Sequence, residues 1–131
     1  IKFWDLRNTE QPFLKVVSNH SHWIWCVKYN RYHDQLIIST GSDSNVSLWN
    51  IVSVSSAPLG ELEDNSKEED KLIKTYKEHE ESVYWTSWSA NNAWVFASLS
   101  YDGRVVINHV PAATKYEILL SNVVAKYQKY C

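Results

Sequence analysis

Two trios of side chains in this 131-residue chain have the composition of a nucleophilic catalytic site: His20, Ser39 and Asp43, and then His79, Ser98 and Asp102. A serine hydroxyl activated by an imidazole that a carboxylate orients would cleave esters or amides. Their repetition argues against that use. Two copies of one active site in successive segments serve no chemical purpose, so both trios are read as structural. His20 and His22, two apart in NHSHW, would share one face of a strand and could bind a metal. No carboxylate or thiol nearby completes a ligand set. Phosphate-cradling and nucleophile-elbow motifs are missing, and glycine occurs only at positions 41, 60 and 103. The expectation is no catalytic residue, no metal and no cofactor.

The elements that position these residues come in two copies. An offset of 59 residues lays His20 on His79, Ser39 on Ser98, Asp43 on Asp102 and Val46 on Val105, and apolar positions between those anchors match as well. Each copy reads as three β-rich pieces separated by turns: WIWCVKYN, QLIIST and NVSLWNI, then VYWTSWS, WVFASL and RVVINHV. A fourth strand is expected at KLIKTYKE after the first triplet and at KYEILL after the second. IKFWDL and PFLKVVS read as the third and fourth strands of a preceding copy. The core strands are nearly continuous apolar runs, as in a sheet covered on both faces by like neighbours.

The His, the strand Ser, the turn Asp and a closing Trp4-Asp5 or Trp49-Asn50 resemble the WD40 repeat, over residues 1 to about 120. The resemblance implies an all-β fold: a WD40 β-propeller fragment of about two and a half four-stranded antiparallel blades, from a seven-bladed propeller. Residues 1–19 would be the outer two strands of a preceding blade, 20–78 a full blade with an acidic insertion at 52–70, 79–120 the last blade and 121–131 a C-terminal tail. In that family a His, Ser, Asp and Trp form a hydrogen-bonded network, which here means His20, Ser39, Asp43 and Trp49. The second copy keeps His79, Ser98 and Asp102 but has Asn108 in place of the Trp, so its network must be shorter or differently closed.

What the resemblance implies about function is a noncatalytic scaffold for protein–protein interaction. LIKTYKEHEESVYW, VFASLSYDGRVVIN and KYEILL are similar to the C-terminal part of a family member linked to multisubunit endosomal tethering complexes and dense-core vesicles. That implies cytoplasmic work in recycling or retrograde transport at the trans-Golgi network and endosomes. A different function is open through WDLR, Trp4 to Arg7, which resembles the WDxR ending of substrate receptors of cullin-RING ubiquitin ligases, with Arg7 as the adaptor contact. Trp4, Asp5 and Arg7 are therefore candidate partner-binding residues. Trp23 and Trp94, beside loops, are two more, since Trp is enriched at interaction hot spots. The remaining aromatics of the inner strands are assigned to packing between blades.

A net charge of −2 without a basic stretch gives no reason to seek nucleic acid, and no apolar run is long enough to insert directly in a membrane. Cys26 reads as a buried thiol. The chain has no methionine, so a piece of a longer protein is expected. Two and a half blades cannot close a ring, so the remaining blades, or another copy of an isolated piece, are expected to cover the open faces. The insertion, with Glu61, Glu63, Asp64, Glu68, Glu69 and Asp70, reads as a solvated loop.

Overall fold

The computed structural model describes residues 1–4, 19–55 and 70–128. Strands β1 (Ile24–Tyr29), β2 (Leu36–Gly41), β3 (Val46–Asn50) and β4 (Lys71–Tyr76) form one antiparallel sheet in that order. A second sheet holds β5 (Val83–Trp88), β6 (Val95–Ser100) and β7 (Val105–His109), again in chain order. The chain is thus built as part of a propeller, one four-stranded blade beside a three-stranded one. Both first strands carry a β-bulge at the same repeat position, between Ile24 and Cys26 and between Val83 and Trp85.

β2 explains why the blades stack. Leu36, Ile37 and Ile38 are consecutive and wholly buried, which a strand achieves only when both its faces are covered. Leu36 and Ile38 join Val83, Phe96 and Val110 in the core between the two sheets. Ile37 turns the other way, into a cluster with Trp49, Ile51 and Phe3. Deleting one such side chain costs about 2–5 kcal/mol, so this row of three does much to define the stack. Three polar side chains also bridge the two sheets. The Trp88 indole donates to the Lys28 carbonyl at 3.2 Å, Asn30 Nδ2 to the Ala93 carbonyl at 2.7 Å and Tyr32 Oη to the Ala90 carbonyl at 2.6 Å.

Two departures from the sequence reading stand out. KYEILL is not a fourth strand: it lies in α1 (Ala112–Gln128). Pro111 supplies the first helical carbonyl, to the Lys115 amide at 3.1 Å, and Thr114 and Ile118, four apart, are both buried. Ile118 enters the core between the blades, and Glu117 meets Lys71 at 3.1 Å. A six-residue apolar run suits strand or helix equally, and the burial available to Ile118 decides for the helix. The second sheet therefore has three strands among the described residues. The other departure is at the N-terminus, where residues 1–4 carry no strand, although Phe3 is buried on the outer face of the first blade and stands edge-on to Tyr29. The rest of the expected outer strands, 5–18, and the insertion from 56 to 69 lie outside the described residues. The insertion's base is pinned, since the Ser53 amide and hydroxyl donate to Asp70 at 2.9 and 2.6 Å.

Candidate functional site

Each trio assembles where a loop, a strand and a turn of one blade converge. In the first blade His20 precedes β1, Ser39 lies inside β2 and Asp43 sits in the turn to β3. Asp43 accepts from His20 Nδ1 at 2.9 Å and from the Ser21 amide at 3.0 Å. A carboxylate can only accept, so in the neutral ring Nδ1 holds the proton and Nε2 is left to accept from the Ser39 hydroxyl at 2.8 Å. The Ser39 oxygen in turn accepts the Trp49 indole N–H at 2.9 Å. The result is one directional chain, Trp49 to Ser39 to His20 to Asp43. Burial acts to raise the Asp43 carboxyl, but hydrogen bonds from His20, Ser21 and Asn45 outweigh it and hold it below its ordinary value.

The second blade repeats this up to the serine. Ser98 meets His79 Nε2 at 2.8 Å, and Nδ1 meets Asp102 at 3.1 Å. Burial raises the Asp102 carboxyl, yet the amides of Arg104 and Glu80, with His79, bring it down to about 2. Asn108 does not replace the indole: its Nδ2 has no hydrogen-bond partner among the described residues. Neither trio can act as a nucleophile in this arrangement. Ser39 and Ser98 are sealed inside their strands at 0% and 1% exposure, and a nucleophile has to touch its substrate. The metal pairing is not formed either, since both ring nitrogens of His20 are engaged and His22 Nδ1 is taken by Ser42 Oγ.

The partner-binding candidates separate. Trp4 is exposed, while Asp5 and Arg7 lie outside the described residues. Trp23 is 69% exposed. Trp94 is not a free anchor: it is half-buried, stacked on His33 at 4.6 Å with Lys115 above the ring at 5.7 Å. Burial lowers the His33 pKa against the opposing pull of Asp34. Trp25 and Trp85, assigned to interblade packing by sequence, are each 51% exposed. Tyr101, which the sequence reading passed over, is 72% exposed and tilts against Tyr84 at 4.5 Å. Its signal was its position beside the turn Asp102, one residue from a network member.

A doubled blade with a buried His–Ser–Asp network in each copy defines a class, and the family model for the WD domain, G-beta repeat, matches residues 11–50 and 70–107. The chain belongs to the WD40 repeat family. Among individual proteins it is similar to EARP and GARP complex-interacting protein 1 of Homo sapiens, 52% identical over 92% of this chain and 35% of that protein. EARP-interacting protein 1 of Caenorhabditis elegans is 38% identical over 91% of this chain and 35% of the relative. WD repeat-containing protein DWA2 of Arabidopsis thaliana is 42% identical over 79% of this chain and 30% of the relative. The chain therefore spans about a third of the length of the curated relatives it matches.

Proposed function

We propose that this chain is part of a noncatalytic adaptor that docks on a multisubunit endosomal tethering complex and serves recycling, retrograde and dense-core vesicle traffic. The cytoplasmic face of the trans-Golgi network and endosomes is where it would work. The observation that carries this reading is the 52% identity, across nearly the whole chain, to a relative named for interacting with the EARP and GARP complexes. The geometry supports the noncatalytic part, because both triad-like sets are buried inside the blades and spent there as bracing.

The reading is tested by affinity purification of the tagged intact protein from cells, with the co-purifying proteins identified by mass spectrometry. Recovery of tether subunits is the expected result, and their consistent absence would overturn it. A parallel assay with broad ester and phosphate substrates checks the other half. Ser98→Ala should lower the melting temperature and remove no hydrolysis, whereas turnover that vanishes with that change would restore an enzymatic reading.

A further inference from the structure

The two β-bulges do more than kink their strands. A bulge re-aims the side chain of its extra residue, and here that residue is aromatic both times, Trp25 in β1 and Tyr84 in β5. Each gains an aromatic companion. Trp23 stands edge-on to Trp25, with centroids 5.9 Å apart at 88°, and Tyr101 lies over Tyr84. The two pairs belong to one rim. Ser42, whose amide donates to the Trp23 carbonyl at 2.8 Å, also accepts on its own carbonyl from Ser82 Oγ at 3.3 Å, and the Ser82 carbonyl accepts from the Tyr101 amide at 3.1 Å. Blade one's pair and blade two's pair thus flank a single hydrogen-bonded seam.

Charge along the seam decides what such rings would receive. The loop leading into β5 carries three exposed carboxylates, Glu78, Glu80 and Glu81, against the single Lys77. Arg104, the nearby cation, already pairs with Glu80 at 2.9 Å. Aromatic faces are electron-rich, and carboxylates beside them attract cations and repel phosphates. The chain uses the same pairing internally, with Lys28 4.3 Å above Trp85 and Lys74 4.5 Å above Tyr76.

We propose that the rim formed by Trp23, Trp25, Tyr84 and Tyr101, with Glu81 at its seam, binds an extended basic segment of a protein partner, its Arg or Lys side chains laid on the rings. This rests on the adaptor reading and names the chemistry of the segment the adaptor holds. Arg suits the site better than Lys, because its planar guanidinium stacks on a ring while its edge still reaches a carboxylate.

The test uses the intact protein and three fluorescein-labelled peptides, nona-arginine, nona-lysine and nona-glutamate, followed by anisotropy at about 0.15 M salt. Nona-arginine should bind tightest and nona-glutamate not at all. Trp23→Ala with Tyr101→Ala should weaken nona-arginine about tenfold, the sum of two exposed cation–ring contacts. Tyr101→Phe, which keeps the ring, should retain binding, and Glu81→Gln should weaken it with a shallower salt dependence. Both truncated rings are exposed, so the variants should melt with the wild type; if the double variant does not, Tyr101→Ala against Tyr101→Phe carries the comparison. Equal binding by the ring-truncated and wild-type proteins, or equal binding of the acidic peptide, overturns the proposal. Tether capture separates it from the reading beneath. Wild type and double variant recovering the tether equally sinks the rim and leaves the adaptor standing, whereas a wild type that recovers none sinks the adaptor while the peptide result still judges the rim.

Discussion

The first blade closes its polar chain with an indole, whereas the second ends its chain at Ser98 and has a phenol of the neighbouring blade packed beside it. In the first, Trp49 donates to Ser39 and packs with Phe3, Ile37 and Ile51, so one residue both satisfies the serine and fills the face. In the second, the smaller Asn108 sits in that register opposite Phe96. Tyr76, from the outer strand of the first blade, stands edge-on to Phe96 at 5.2 Å and donates its hydroxyl to the His109 carbonyl at 2.6 Å, beside Asn108. Burial, with Glu78, pushes the Tyr76 hydroxyl up to about 12, so it stays a donor at any ordinary pH. The bulk that one blade carries itself is supplied to the other across the seam. Repeats of one family can therefore place similar bulk on different strands.

The largest effect should come from exchanging the closing residues. Trp49→Asn should destabilise by about 3–5 kcal/mol, because it empties a packed face and leaves Ser39 without its indole donor. Asn108→Trp should also destabilise, by about 1–3 kcal/mol, since Tyr76 already holds the space. Adding Tyr76→Ala to Asn108→Trp should cost less than the two separate changes predict. Urea unfolding of the four proteins checks this, and strict additivity would mean that the phenol is not standing in for the indole.

Next comes the floor beneath the networks. A Cβ on Gly41 would lie 2.8 Å from both His20 Nδ1 and Asp43 Oδ1, and 2.9 Å from the Trp23 carbonyl oxygen. The second blade has Ser100 at this place and a looser contact, one oxygen of Asp102 at 3.1 Å where His20 meets both of Asp43's at 2.9 and 3.2 Å. The glycine is what allows the tighter grip. Gly41→Val should cost about 1–3 kcal/mol, and Gly41→Ser markedly less, with the histidine resonances of the serine variant moving toward those of the second blade in NMR spectra.

Acid should then act on both networks. Each carboxyl is held below its ordinary value of 3.8, so each contributes stability that is present above that value and lost as pH falls toward the lowered one, about 2 for Asp102. Urea midpoints should fall between pH 4 and pH 2. Asp102→Asn should flatten that fall, and so should Asp43→Asn; an unchanged slope in both would show that other carboxyls govern it.

Much of this was legible in the sequence, for a physical reason. The 59-residue offset holds His, Ser and Asp at one spacing in both copies, because a network spanning loop, strand and turn tolerates no insertion between them. The seven strands follow from β-branched runs between turns. Three things were hidden. Lys115 to Leu120 took helix, since so short a run carries no decisive period and Ile118 found a place in the core. Trp25 was assigned inward, but it is the extra residue of the β1 bulge, which re-aims its side chain, and the exposure of Trp85, at the position where the first blade buries Cys26, has no such explanation. Tyr76 serving the second blade was invisible, because a contact between repeats leaves no mark on the spacing within either.

The smallest difference between the blades lies in one backbone angle. Ser44 in the first turn and Gly103 in the second occupy equivalent positions, both left-handed, at φ of 62° and 78°. A side chain in that region costs about 1–2 kcal/mol of steric strain, while glycine returns part of that by being freer when unfolded. Ser44→Gly should thus stabilise the chain by about 0.5–1 kcal/mol. Gly103→Ser should destabilise it by a similar amount, even though a Cβ there meets nothing within 4 Å. Open space around Gly103 makes the pair informative, since crowding cannot account for any loss. If the two changes fail to oppose each other in thermal melts, the strain at Ser44 is already relieved by Asn45, whose amide reaches back to Asp43 at 3.4 Å.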